Sequence, residues 1–426
     1  MPPHSARQIT ALLLILALTS ALSVGRAGET PGDNESSADL DVAVKVGTLL
    51  SYGSDDEVLF PERDSALGFT RLRLTLNHRF GPGANAQIAY EHQVRAVSRG
   101  AGLGLGSTVL PSFGQSPYRV VPLEDDIIAE SQSFTWRHEL DRALVALHPD
   151  WGEVTVGRQA IGLGRGVIFG SVDIFAPFSP LEVDREWRRG VDAARIEYRL
   201  SPTSSMEVLG IGGDTWDDAA LLARWRGYVG RLDGELIAGK RGEDAFYGAV
   251  ASAFVGGAEV HGELALFDTP DKQPGGGLFG DDHLAAQATL GSSYTFGIGN
   301  GLTVLGEYQY NGLGVREAEE IVPALLRPDF QRRFLRGDMR ILGRHGLALQ
   351  AGYPFSNVWS GSLLAVGSPK DGSGVLSPSL SWDVSDHVTI DAVGFLPWGP
   401  ESERGILQSE YGGRPASLFL QVSMYY

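Results

Sequence analysis

Arginine recurs at every second residue in several short runs of this 426-residue chain. Arg71 and Arg73 form one pair, Arg224 and Arg226 another, and Arg195 and Arg199 keep the same phase. Side chains two residues apart share one face of a β-strand. A guanidinium is permanently charged, and its planar fork of donors suits carboxylate and phosphate, whereas a lysine offers a point charge. The chemistry this spacing implies is recognition of anions along a wall. Catalysis fits poorly. His78, His92, His138, His148, His261, His283, His345 and His387 are scattered, with no Gly-x-Ser-x-Gly elbow and no metal spacing beside them. No cysteine occurs, which excludes thiol nucleophiles, thiolate metal sites and disulfides. The expectation is no enzyme, no catalytic residue, no cofactor and no metal.

Those arginines need strands to carry them. The chain closes on Leu418, Leu420, Val422 and Met424 alternating with Ser417, Phe419, Gln421 and Ser423, up to a terminal Tyr426. Apolar residues with a period of two are a half-buried strand. The same pattern places Leu72, Leu74 and Leu76 opposite Arg71, Arg73, Thr75 and Asn77, with a tight turn at Gly81-Pro82-Gly83 before a partner strand. Strands are expected near 40–52, 68–80, 84–96, 133–148, 152–163, 188–201, 204–213, 218–229 and 231–241. The second half adds 244–256, 257–268, 283–297, 301–312, 330–343, 346–366, 374–384, 387–397 and 416–426. That makes about 18, the even number of a single-chain bacterial barrel, with 346–366 taken as one strand despite Pro354. Short turns, including Gly343 to Gly346, alternate with long loops at 53–67, 97–132, 164–187, 269–282, 313–329 and 398–415. Ala318 to Leu326 reads as a short loop helix.

The first residues read as a cleaved leader. Arg7 supplies the positive end, Ala11 to Leu18 the apolar run and Gly25-Arg26-Ala27 the cleavage site. The apolar run falls short of the roughly 18 to 20 residues a membrane helix needs. Residues 1–27 are thus expected to be removed, 28–39 to form a disordered periplasmic lead-in, and 40–426 to form the barrel. Without Arg7 and Arg26 the chain keeps 33 basic against 52 acidic residues, a net charge of −19, which argues against nucleic acid as a partner. A β-chain in lipid must close on itself, because open sheet edges cannot be satisfied there. The fold class expected is all-β: a single transmembrane, antiparallel, up-and-down barrel in the outer membrane of a Gram-negative cell. Short turns would face the periplasm and long loops the outside. Tyr90, Tyr198, Trp225, Tyr308, Tyr310, Trp382 and Tyr426 would form the interface girdles.

In such a barrel the polar face lines the lumen. Strand parity directs Arg71, Arg73, Arg195, Arg224, Arg226, Arg336 and Arg340 inward, with Glu91, Glu139, Glu197, Glu259, Glu263, Glu307 and Asp338 among them. Arginine rings are one way a pore selects anions. The structural alternative is that inward Arg and Glu pair across the ladder and stiffen the wall. The most idiosyncratic stretch runs from Gly157 to Gly190 and mixes close glycines, aromatics and opposed charges. We expect it to fold into the lumen as a constriction, with Arg165, Arg185, Arg188 and Arg189 near the narrowest point.

Gly157-Arg158-Gln159, Asp173 to Phe175 and Arg189-Gly190-Val191-Asp192 resemble the alginate-export family of outer-membrane barrels. Lys370 to Gly374, Ser377 to Leu380 and Ser409 to Gly412 resemble the closing strands of porin-like proteins. The resemblance covers roughly residues 40 to 426 and implies an 18-stranded monomeric barrel with an arginine-rich, loop-constricted pore for an anionic polysaccharide, served by a periplasmic export partner. It adds Arg158 to the pore-lining residues. The inward acids depart from a pore for a uronate polymer, so a general porin stands beside it. A polysaccharide-anchoring barrel that does not conduct, and a soluble secreted β-protein, are the remaining readings. The partners expected are outer-membrane lipid and an anionic saccharide or small anion.

Overall fold

With one short exception, each strand pairs antiparallel with its neighbours in sequence until the last meets the first. The computed structural model describes residues 36–53, 56, 58, 62–98, 118–121, 123–128, 133–273 and 277–426. The expected leader, most of the lead-in and parts of the loops at 53–67, 97–132 and 269–282 lie outside the described residues. The strands are β1 (Ser37–Tyr52), β2 (Asp64–Arg79), β3 (Ala84–Val97), β4 (Glu124–Ile128), β5 (Phe134–Leu147), β6 (Gly152–Gln159), β7 (Val191–Ser201), β8 (Ser204–Ile211), β9 (Ala220–Val229) and β10 (Leu232–Arg241). They continue as β11 (Asp244–Val255), β12 (Ala258–Asp268), β13 (Leu284–Phe296), β14 (Leu302–Asn311), β15 (His345–Pro354), β16 (Trp359–Gly367), β17 (Gly374–Ser385), β18 (Val388–Trp398) and β19 (Ala416–Tyr425). β1 pairs with β2 on one side and with β19 on the other, which closes the ring. The five-residue β4 takes no column of its own. It pairs with the part of β5 beyond the end of β6, so the barrel has 18 columns, as expected from the sequence.

That agreement hides two compensating differences. Residues 330–343 are not a strand. They hold most of α2 (Pro328–Arg336), which follows α1 (Ile321–Leu325) and a 3-10 turn at Ala318–Glu320. Pro328 sits in the first turn with Asp329, Arg333 and Arg336 lie in the last, and Gly337 ends the helix at φ 82°, the left-handed C-cap that glycine favours. Residues 346–366, in turn, are two strands. After Pro354 the chain reverses, with Phe355 N–H bonded to the Trp359 carbonyl and Ser356 Oγ accepting from Trp359 N–H. Gly343 to Gly346 is therefore no short turn. It ends a long excursion at 312–344 on the opposite side from the turns at 81–83 and 386–387. Ser37 to Asp39, expected in the lead-in, belong to β1.

The outer surface is apolar. Leu72, Leu74, Leu418, Leu420 and Val422 alternate outward, and Trp359 stacks on Trp382 with ring centroids 5.1 Å apart. The inner surface changes along its height. Near the end where β1 starts it carries charged and hydroxyl side chains. Towards the other end it turns apolar, with Leu67, Phe69, Leu209, Phe246, Phe267 and Phe419 pointing inward and buried. These residues pack against loops that fold inside, in two apolar clusters.

Candidate functional site

The segment that β6 and β7 send into the barrel, 160–190, crosses the lumen as a strap and is tied down at both walls. On one wall, the Glu263 carboxylate of β12 accepts backbone N–H bonds from Arg165, Gly166 and Val172. The Glu307 carboxylate of β14 accepts from Val167, Ile168 and Phe169 at 2.7 to 3.0 Å. Carboxylates that bind several N–H donors are strong anchors, because each bond is charge-assisted. His261 lies within 3.1 Å of Glu307 through Nε2 and 3.0 Å of Glu259 through Nδ1. Ser171 adds a hydroxyl bond to Thr289 at 2.7 Å.

The other tie lies on β1 and β2. Lys45, buried inside, binds Asp184 at 2.7 Å and Glu186 at 2.5 Å. Trp187 is flanked by three cations, with Lys45 4.0 Å, Arg71 4.8 Å and Arg73 5.1 Å from its ring centroid. Between the ties, Ile161, Leu163, Val172, Ile174 and Phe175 enter one apolar cluster, and Ile168, Phe169 and Leu181 enter the other. The expected constriction loop is thus inside the barrel and somewhat longer than 164–187.

The twelve arginines expected to line the pore lie inside, and each is held by a partner. Arg71 makes a two-pronged bond to Glu91 at 2.8 and 2.9 Å, and Arg73 bridges Glu91 and Asp141. Arg158 holds Asp192 at 2.7 Å. Arg224 holds Glu235 at 2.7 Å and Glu207 at 3.2 Å. Arg195 reaches Glu153 at 2.5 Å, and Arg226 reaches Glu197 at 2.8 Å. In the strap, Arg165 pairs with Asp233, Arg188 with Asp173 at 2.7 Å and Arg189 with Glu139 at 3.2 Å. Arg185 instead donates to the carbonyls of Val167, Ser179, Pro180 and Glu182.

Arg336 and Arg340, read from the sequence as strand residues, stand at the end of α2 and beyond it. Arg336 binds Asp338 at 2.8 Å and Asp244 at 3.4 Å, and Arg340 donates to the carbonyls of Gly337 and Asp173. Burial alone would raise the Asp338 carboxyl, but Arg241 and Arg336 pull it down to about 2.

Parity missed several acids. Asp141, Glu153, Glu207, Asp233, Glu235 and Asp244 also face inward and pair with these arginines. The wall is therefore a lattice of alternating charge, and the guanidinium groups do not dominate it. Arg71, Arg73, Arg158 and Arg224 are nearly sealed from solvent. Exposure is kept by Arg165 (46% of its side chain), Arg226 (36%) and Arg195 (28%), and less by Arg188 and Arg189. Lys45, Asp184, Glu186 and Trp187 were not singled out as a tie. The only hint was one lysine between Val44 and Val46 in an otherwise apolar stretch.

The porin-like motifs have a structural use. Glu410 Oε1 accepts the N–H groups of Leu342 and Gly343, Glu410 N–H donates to Asp371, and Tyr411 N–H donates to Ser373. Together they buckle the loops 312–344, 368–373 and 399–415, and burial raises the Glu410 carboxyl.

No protein-family model and no curated relative matches the sequence. Solved structures resemble the fold. OccAB4 from Acinetobacter baumannii superposes with a TM-score of 0.56 at 12% identity, over 93% of this chain and 100% of that one. OccK11 (OpdR) from Pseudomonas aeruginosa gives 0.54 at 10%, over 91% and 95%. The outer membrane protein opdK from the same organism gives 0.50 at 12%, over 92% and 98%. At such identities the likeness speaks for the transmembrane barrel fold.

Proposed function

We propose that this chain is a porin-like channel of the Gram-negative outer membrane, passive and without bond chemistry, that admits small hydrophilic solutes past the strap. One observation carries the reading: a closed, lipid-facing barrel is crossed inside by a segment fixed at opposite walls, the arrangement that narrows a water-filled tube to a selective passage. The fold shared with the outer membrane protein opdK supports the location. The barrel acts as a monomer surrounded by lipid, delivered there by the cleaved leader.

The finer reading is an anion path, for small anions or an exported acidic saccharide supplied by a periplasmic partner. Arg165, Arg188, Arg189, Arg195 and Arg226 support it as the exposed guanidinium groups. Paired charges act at short range, since a dipole's field falls faster than a lone charge's. Selectivity should therefore be only a few-fold.

The test is single-channel conductance of the refolded protein in planar bilayers, with reversal potentials under a salt gradient. A weak anion preference that Arg188→Gln with Arg189→Gln lowers further is the expected result. A cation preference would remove the anion path but leave the channel. No conductance would favour a second reading, a barrel that anchors polysaccharide at its surface, which the apolar filling of the outer half supports.

A further inference from the structure

Below the strap the lumen opens towards the face where β1 begins and β19 ends. A cavity of about 510 Å3 lies there under the strap's last residues. A larger one of about 810 Å3 adjoins it, with Asn77 and Gln87 lining both. The first cavity's lining includes Trp187 and Tyr425, the amides Asn77 and Gln87, Thr75, and the guanidinium groups of Arg73 and Arg142. We propose that this cavity is a binding site for a short oligosaccharide, read by ring stacking and hydroxyl bonds rather than by charge, and loaded from the periplasmic face. The proposal deepens the channel reading and rests on it only for the direction of loading.

Three observations favour a saccharide. The size falls within the roughly 300 to 1,000 Å3 of small-molecule sites. The strap's tie presses Trp187 against the wall through Lys45, Arg71 and Arg73, so the indole stands fixed at the cavity's edge. A rigid, amphipathic aromatic is the side chain that packs against a sugar ring while leaving its hydroxyls wet. Finally, the amides form a short relay: Gln87 Nε2 donates to Asn77 Oδ1 at 2.8 Å, and Asn77 Nδ2 donates to Asp41 at 3.2 Å. That relay leaves the Gln87 carbonyl oxygen and an N–H of each amide for a ligand, a mixed set of donors and acceptors that suits hydroxyl groups.

Charge argues against a carboxylate as the recognised feature. Arg73 and Arg142 both bind Asp141, the latter at 2.5 Å. Arg142 also donates to the carbonyls of Asp141 and Arg188. Asp41 and Glu186 line the same cavity, and Glu186 is engaged by Tyr425 at 2.7 Å and by Lys45. A carboxylate ligand would compete with Asp141 for two guanidinium groups at once. Above the cavity the strap and the apolar clusters narrow the way to the other face, so an oligosaccharide reaches it more readily from the face where β1 begins.

The experiment adds maltotriose, or the acidic trigalacturonate, to either side of oriented channels of the full-length protein and records interruptions of the current. Both should block from the face where β1 begins, and from the other face at least tenfold more weakly. Raising salt from 0.1 to 1 M should move the maltotriose affinity less than twofold. Trp187→Ala should weaken block about tenfold. Gln87→Ala, a change outside the ties of the strap, should weaken it severalfold even if the first variant does not fold. Ser360→Ala, in β16 and outside the lining of this cavity, should block as the wild type does. Block by trigalacturonate alone, equal block from both faces, or no block at all would each overturn the proposal. If no current flows, the channel reading fails by itself, and the site is then decided by titrating tryptophan fluorescence with the same sugars in micelles. A Gln87-dependent change supports it, and none with either sugar overturns it.

Discussion

Glu307 concentrates more of the strap's attachment on one side chain than any wall residue except Glu263. Its carboxylate takes three strap N–H groups and His261, and it is sealed from solvent. Replacing it with glutamine exchanges one acceptor oxygen for a donor that faces other donors. At least one strap N–H is then buried without a partner, and the survivors lose their charge assistance. Hydrogen bonds to a charged group are worth about 1.5 to 3 kcal/mol each, and an orphaned buried group costs a similar amount. We expect Glu307→Gln to loosen residues 165–169 by about 3 kcal/mol. Hydrogen exchange at those amides should quicken by about a hundredfold, since 1.4 kcal/mol is tenfold, while exchange in β1 and β19 stays as it was. Unchanged exchange at 165–169 would mean that the apolar clusters alone hold the strap.

The strap also holds a turn that responds to pH. Burial pushes the Glu182 carboxyl up to about 7, against the opposing pull of the Ser179 N–H and Arg185, with Asp184 adding to the rise. Glu182 accepts the Ser179 N–H at 2.9 Å, and Arg185 clasps the same turn through its carbonyls. A carboxyl whose folded pKa is raised binds its proton more tightly folded than unfolded. Its contribution is therefore complete below the unfolded value of about 4.3 and is lost as pH rises through 7. Hydrogen exchange within 179–186 should be slower at pH 5 than at pH 8, and Glu182→Gln should make the rate the same at both once the intrinsic pH dependence of exchange is subtracted. A wild-type rate that is flat over this range after the same subtraction would remove Glu182 from the account.

What the sequence conceals at this scale is instructive. The helix α2 was legible in its Pro328 start and Gly337 stop, yet Arg332, Arg336 and Arg340 also fit a strand phase, and the barrel pattern around them favoured strand. The outer halves of the strands lose their polar alternation because loops fold inside and convert the inner face to core, as with Phe246 and Phe267. Parity therefore identified Arg71, Glu91, Glu263 and Glu307 correctly. It could not show that Glu307 meets Val167, 140 residues away.

At the scale of the whole molecule, closure decides whether the chain can enter a membrane. β19 pairs with β1 from Ala43↔Tyr425 to Tyr52↔Ala416 and with β18 from Val388↔Met424 to Phe395↔Ser417. Removing residues 416–426 would expose two strand edges to lipid, where each unpaired backbone group costs several kcal/mol. No rearrangement inside the barrel offsets that, because among the described residues the inner loops carry no free strand of similar length. The truncated chain should fail to reach the compact form that migrates faster on unheated detergent gels. Deleting Tyr426 alone removes its two backbone bonds with Val42 and its stack on His387 and should leave that form intact while slowing its appearance. If the truncated chain still folds, either β1 and β18 have paired directly or the chain does not need a closed ring. Blocking that new seam with proline substitutions in β18 would separate the two, since proline cannot donate to a ladder.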